Sequence, residues 1–556
     1  MRTHASALSA LCTLLLTLIA EAQPQPPPEQ PPPPEEPPPE EPPQPQPPAE
    51  PPQVPVPAPA PPPAPEQVEG LPPPPPPPPA VFPSQLEEDE APLAGIHGTR
   101  PYLRTKDDVF RLYPGGWLAT DFYWPPGAPD LPAEADGSAL EPSFAVRRVR
   151  LELSGEIVRR IYFTLGAELG GGRIGDTPYV GDTTTRFAMA TAHDGRITPA
   201  EVSVTYSFRD WLNFTAGLFN VPFSLDNRTR EQRTPFMERN IVIRGLVVPY
   251  EKDLGLTIWG EFLDKRTLAY EVGVFAGDGP QRPFVDARPD VVGRVFVRPL
   301  TSVGDNVFFE QAQIGVSARY GERDQDLVGY DYPAIATNQG FVMWQPGYVD
   351  SLGRITHVIP SGAQRSIGGE LRLPFRVPSG AVFDVRGEGY YLANNTREAV
   401  DPFTLTNTER LGRVKAGGWY ASVSWWACCT DQLVTGEPGV YRPYTVDLEQ
   451  DAPVLRGLEI LAMAGGIHGN SSGATREGSV PDANTPNADI TIYQIGAGVQ
   501  FWYSENFRAT VNYMLYFAPD SGDRTQNQAI VPDNLPAVGG DKHLHHELGL
   551  RLAAAF

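Results

Sequence analysis

Cysteine is nearly absent from this chain, with 3 among 556 residues. That excludes a disulfide scaffold and the paired-cysteine zinc motifs. Positive charge is also scarce. Lys and Arg total 44 against 67 Asp and Glu, a formal net charge of −23. Nucleic-acid binding needs a basic face that displaces counterions, so that class is set aside. Long apolar runs are missing, and no membrane-spanning helix of ~20 residues is expected. A P-loop, a G-x-S-x-G elbow and an H-E-x-x-H helix are missing too. The expectation is therefore no enzyme, no cofactor and no metal. A hydrolytic Ser–His or Asp–His pair on facing strands is the one enzymatic alternative.

What is abundant is proline, 65 residues in two populations, with 34 of them between Gln23 and Pro83. From Gln23 to His97 there are 12 acidic residues and no Lys or Arg. Such a stretch buries too little apolar surface to offset its ordering entropy. Runs such as Pro72–Pro79 favour polyproline II, at ~3.1 Å per residue. The reading is a disordered, acidic, proline-rich arm over 23–98, either a solvated spacer or a reach toward cell-wall components. Ahead of it, Arg2 and His4 precede an apolar run from Ala7 to Ala20 and an Ala20-Glu21-Ala22 cleavage pattern. Residues 1–22 thus read as a signal peptide, a retained anchor being the alternative.

From Val109 onward the pattern alternates with a period of two, the mark of strands. Phe507 to Phe517 places apolar residues at every odd position, and only Met514 breaks the polar set between them. Similar segments occur at 148–156, 201–208, 212–219, 254–262, 267–275, 291–298, 311–320, 366–373, 380–392, 414–427, 456–467 and 493–503. A soluble sandwich and a membrane barrel both produce such strands. Export, short turns beside long loops, and aromatics at strand ends favour the barrel, whose apolar face meets outer-membrane lipid. The last strand alternates Leu544, His546, Leu548, Leu550, Leu552, Ala554 and ends on Phe556. That looks like the signal read by the outer-membrane barrel assembly machinery. Residues 99–556 are thus expected to form an all-β, transmembrane antiparallel β-barrel of about 16 strands, a size that leaves an aqueous channel.

Strand parity places nine basic residues on the lumen face: Arg148, Arg150, Arg294, Arg298, Arg319, Arg372, Arg386, Arg508 and Arg551. It places nine acidic ones there too: Glu152, Glu156, Glu201, Glu261, Glu271, Glu370, Asp384, Glu388 and Glu547. A balanced set fits cross-strand pairing as well as a solute path. Arg147 departs from the parity of its neighbours. Cys428 and Cys429 are adjacent and read as free or rim thiols, and His543 with His545 as a polar rim.

At 216–239 the chain reads Ala-Gly-Leu-Phe-Asn-Val-Pro-Phe-Ser-Leu-Asp and then Thr-Pro-Phe-Met-Glu-Arg. This resembles the outer-membrane porin O and porin P family, the phosphate-selective porins, in which a G-x-F-x-x-P-F strand end leads into a long loop carrying F-M-E-R. Weaker echoes lie at Phe144–Gly155 and Gly418–Glu437 and in the last strand, so the resemblance spans roughly 109–556. It implies a sixteen-stranded homotrimer passing small anionic solutes, phosphate or polyphosphate, past arginines and lysines. Arg147 and Arg148 occupy the place of the family's paired arginine at the constriction. Parity adds Arg150, and the inward-folded loop from Asn220 to Lys252 contributes Arg228, Arg230, Arg233, Arg239, Arg244 and Lys252. The expected protein is an outer-membrane channel for passive diffusion. The alternatives are a non-selective general porin and an envelope tether using the proline-rich arm. An even strand number puts both termini, and so the arm, in the periplasm.

Overall fold

The computed structural model describes residues 92–556 except 98–99, 127–141, 171–196, 249, 264–265, 278, 280–287, 302, 304–309, 324–331, 341, 345, 350–354, 379, 400–409, 429–455, 475–486 and 520–543. The signal segment, nearly all of the proline-rich arm, Cys429 and His543 therefore lie outside the described residues.

Sixteen strands form the wall. They are β1 (Phe110–Trp124), β2 (Ser143–Ile157), β3 (Ile161–Glu168), β4 (Thr198–Arg209), β5 (Leu212–Asn220), β6 (Lys252–Phe262), β7 (Leu268–Phe275) and β8 (Asp290–Val297). Then come β9 (Gln313–Arg323), β10 (Ile355–Arg376), β11 (Val382–Ala399), β12 (Arg410–Cys428), β13 (Gly457–Ala474), β14 (Asn487–Trp502), β15 (Phe507–Phe517) and β16 (Leu544–Ala555). Each pairs antiparallel with the next. The ring closes where β16 pairs with β1, from Leu548↔Trp124 to Ala555↔Trp117. Closure leaves no edge strand whose unpaired amides lipid would penalise.

Side chains sort as the period of two requires. On β4, Val202, Val204, Tyr206 and Phe208 are 41–51% exposed on the outer face, while Glu201, Ser203 and Thr205 are buried inside. Of the eighteen lumen charges named by parity, sixteen are buried, and Glu152 and Arg319 are half-buried. Aromatics gather at both rims. Trp211, Phe262 and Tyr270 stack at 6.3 and 5.5 Å beside the short turns, and Phe375, Phe383 and Trp425 at 5.3 and 6.1 Å. Phe122–Phe144 at 4.6 Å and Tyr493–Phe517 at 6.4 Å mark the opposite rim. Such belts seat the wall at the two lipid interfaces.

β1 carries Pro114-Gly115-Gly116 in its middle, which hides its alternation. The structure supplies the reason. β16 pairs with β1 only as far as Trp117, and a hairpin of Ala94–His97 and Arg100–Arg104 takes over that edge at Leu112. Pro114 falls in the gap between them, where a missing N–H costs no ladder bond. Gly116 exchanges two backbone bonds with the terminal residue, donating to Phe556 O at 2.9 Å and accepting from Phe556 N at 3.1 Å. A Cβ at Gly116 would stand 2.6 Å from the Phe556 ring. Gly116→Val is therefore expected to crowd the seam by about 1–3 kcal/mol, a usual overpacking cost. A lower unfolding temperature, read from the heat-modifiable band on gels, checks this. An unchanged temperature would remove Gly116 from the seam's requirements.

Candidate functional site

Between β5 and β6 the chain turns into the lumen instead of outward. Two short helices order it, α1 (Leu225–Arg228) and α2 (Ile241–Leu246), with a 3-10 turn at Glu231–Arg233. Each helix is capped by its own sequence. Ser224 Oγ accepts from Asn227 N at 3.0 Å, and Asn240 Oδ1 accepts from Val242 N at 2.8 Å. Both caps satisfy amides that a helix start leaves open. The Glu388 carboxylate, on β11, closes the start of α1 further by accepting from Leu225 N and Asp226 N, each at 2.8 Å.

The far end of the loop is fastened by its Phe-Met-Glu-Arg run. Phe236 joins the buried apolar cluster. Met237 N donates to Asn512 Oδ1 at 2.8 Å, and its sulfur lies where a Cβ on Gly549 would stand 2.9 Å away. Glu238 accepts from Arg147 at 2.9 Å and from Arg551 at 2.8 Å. Arg239 forms an ion pair with Glu251 at 3.2 Å and donates to the carbonyls of Asp226 and Thr229. The stretch that carries the resemblance is thus an anchor between the loop and β2, β15 and β16.

One sector of the lumen is apolar, contrary to the polar lining expected from parity. Leu392, Val414, Ala416, Ile467, Ile490, Ile492, Met514 and Tyr516 of β11 to β15 point inward and are covered by Val242, Ile243, Leu246 and Val247 of the loop. Gly418 and Gly465 make room, since a Cβ at either would lie 2.9 or 3.2 Å from Val242. A second inward segment stacks on the same helix. Ile335–Ala336 pairs with Val342–Trp344, Ile335 meets Gly245, and Arg244 donates to Ala336 O at 3.0 Å and Asn338 Oδ1 at 3.2 Å. Burying each large aliphatic side chain contributes about 1.5–3 kcal/mol, so this filling is a stable part of the wall. Met514, which broke the alternation of β15, is one of its members.

The opposite sector, under β1 to β6, keeps a cavity of about 70 Å³, room for several waters or a small ion. Of the nine residues expected to face solutes, six line it: Arg150, Arg228, Arg230, Arg233, Arg239 and Lys252. Arg100 joins them from the N-terminal hairpin and was not foreseen, because a five-residue strand leaves little alternation to read. Arg147, Arg148 and Arg244 stand outside the lining. With Glu152, Glu201 and Glu231 the cavity holds seven basic and three acidic side chains.

Many of these cations are already engaged. Arg228 pairs with Glu271 and donates to Asn220 O. Arg150 pairs with Glu168 at 3.3 Å and Glu231 at 3.1 Å, Arg148 reaches Glu231 at 3.5 Å, and Arg233 reaches Glu505 at 3.3 Å while lying over Trp502. Burial draws the Arg228 and Arg233 guanidiniums below their ordinary value, with Glu271 and Glu505 opposing it. Lys252 differs. It is 9% exposed, lines the cavity, and has no carboxylate at ion-pair distance among the described residues. Arg147 is buried despite its parity because it is itself the extra residue of a β-bulge: the consecutive Ala119 and Thr120 of β1 pair with Arg148 and Val146. The bulge turns both neighbouring arginines inward. Elsewhere the lumen charges form cross-strand pairs, such as Arg294–Glu370 at 2.7 Å and Arg372–Asp384 at 2.9 Å.

Residues 129–259 match the family model described as phosphate-selective porin O and P, a stretch running from ahead of β2 into β6 and including the whole inward loop. No curated protein sequence matches. Among solved structures, OmpT of Vibrio cholerae (in-vitro folded) is similar at 7% identity, covering 81% of this chain and 98% of that one, TM-score 0.44. The outer membrane channel DcaP of Acinetobacter baumannii is similar at 10% identity, covering 83% and 100%, TM-score 0.40. An anion-selective porin from Comamonas acidovorans is similar at 12% identity, covering 80% and 100%, TM-score 0.39. Identities and scores this low provide no residue correspondence.

Proposed function

We propose that this porin-type barrel, with the phosphate-selective porin O and P signature over its inward loop, is a passive outer-membrane channel for small anions. Solutes diffuse down their gradient beside the loop, and no bond is made or broken. Phosphate and polyphosphate are the anions the resemblance points to, and a homotrimer with its proline-rich arm in the periplasm is the matching assembly. What supports the reading is the charge of the cavity, seven basic side chains against three acidic, with the Lys252 ammonium buried in it and no carboxylate of the described residues at ion-pair distance. Low-dielectric walls focus that field, so a few cations outweigh the acidic total of the chain. A guanidinium fork also suits oxyanions and stays charged at any working pH.

A second reading, a general porin without anion preference, draws on the paired charges of the remaining wall, Arg294–Glu370 and Arg372–Asp384 among them. Reversal potentials across a planar bilayer in a potassium chloride gradient separate the two. The anion channel gives an anion-preferring reversal, and added phosphate lowers the chloride current. Lys252→Glu is expected to cut the anion-to-cation permeability ratio about tenfold, equivalent to ~1.4 kcal/mol. A cation-preferring reversal that phosphate leaves unmoved would sink the proposal.

A further inference from the structure

Anion passage leaves one cavity side chain without a purpose. Glu201 on β4 is 9% exposed, lines the cavity, and its Oε1 has no hydrogen-bond partner among the described residues. Toward phosphate alone such a carboxylate only repels. Its register neighbours give it a context. Gly166 on β3 faces Glu201, and Glu152 on β2 faces Gly166. Two carboxylates therefore stand in one row, about 10 Å apart at the backbone by strand spacing, with no side chain between them. Both line the cavity.

The cation side lies in the same cavity. Lys252 has no carboxylate at ion-pair distance among the described residues, and Arg150 sits two residues from Glu152 on the same face of β2. Glu201 and Lys252 share this space without touching each other. Leaving two opposite charges buried and apart is costly, and a solute carrying both complementary charges relieves it.

We infer that the cavity binds a small zwitterion of the α-amino-acid type on its way through. The solute carboxylate lies against Lys252 and Arg150, and its ammonium enters the gap over Gly166 between Glu201 and Glu152. The inference rests on the channel reading and narrows its solute class, from any small anion to one that also carries a cationic group.

Block of the chloride current by glycine and by acetate tests it, since acetate carries the carboxylate without the ammonium. In the wild-type channel glycine is expected to block saturably and at lower concentration than acetate. Glu201→Gln should raise the half-blocking glycine concentration about tenfold and lower that of acetate, because one ligand loses a partner and the other loses a repulsion. Equal block by the two probes in the wild type overturns the inference, even if the variant fails to fold. A variant that weakens both probes alike, or neither, overturns it as well. An anion-preferring reversal potential measured in the same membranes keeps the channel reading standing in either event, and a cation-preferring one removes that reading instead.

Discussion

Replacing Arg551 by alanine is expected to be among the most damaging single changes in the barrel, at about 3–5 kcal/mol, the usual cost of stripping the partner from a buried carboxylate. Arg551 is 1% exposed on β16. It bonds Asp121 of β1 through Nε at 2.7 Å and Nη2 at 2.6 Å, Glu238 of the loop at 2.8 Å, and the Met237 carbonyl. Without it Asp121 keeps the Tyr123 hydroxyl at 2.9 Å, and Glu238 keeps Arg147. The seam between the first and last strands and the seat of the loop then weaken together. The measurement is the urea midpoint of the purified barrel in detergent. Arg551→Ala should lower it strongly, and adding Asp121→Asn should recover part of the loss, as coupled neighbours do. A midpoint equal to wild type would show that the pair carries no net stability.

Glu388→Ala is expected to act on conduction as well as on stability. The carboxylate holds the start of α1 through two backbone amides and takes the Tyr420 hydroxyl at 2.5 Å. Alanine leaves two amides and a hydroxyl without an acceptor, each costing about 1–3 kcal/mol where water does not reach. The α2 end stays seated in its apolar sector, so the loss falls on the α1 limb beside the cavity. Single-channel records should show larger conductance and more open-channel noise. Glu388→Gln, which keeps one acceptor oxygen, should lie between. Unchanged conductance in Glu388→Ala would mean the loop holds its place without this contact.

Much of the wall was legible because the period of two is a local signal. Fourteen of the sixteen strands fall on segments whose alternation is plain in the sequence, and the buried charges follow the same parity. β1 and β3 were missed for physical reasons. The Pro-Gly-Gly of β1 answers to a gap in its ladder, and β3 opens on three consecutive large apolar residues, Ile161-Tyr162-Phe163, which mask its period. At the site, residue type was readable and environment was not. The arginines of the loop were identifiable, but Arg239 turned out to be a fastening, because its partners Glu251, Asp226 and Thr229 meet it only through the fold. Arg147 needed the bulge that it forms itself on β2. The apolar sector was invisible for a related reason: inward apolar residues on β11 to β15 make sense only once two loops, distant in sequence, cover them.

The fastening of the loop also sets an order in time. Glu238 and Arg551 are 313 residues apart, and Met237 and Asn512 are 275 apart. Contacts of such separation form late, because the intervening chain must be gathered first. β16, the last strand to be made, carries both Arg551 and the Gly549 seat for Met237. A barrel still lacking its final hairpin holds this loop through Glu388, Glu271 and Arg147 but lacks the seats that Asn512, Gly549 and Arg551 provide. Strand addition and aperture setting therefore finish in the same step, and a half-assembled barrel has no finished filter.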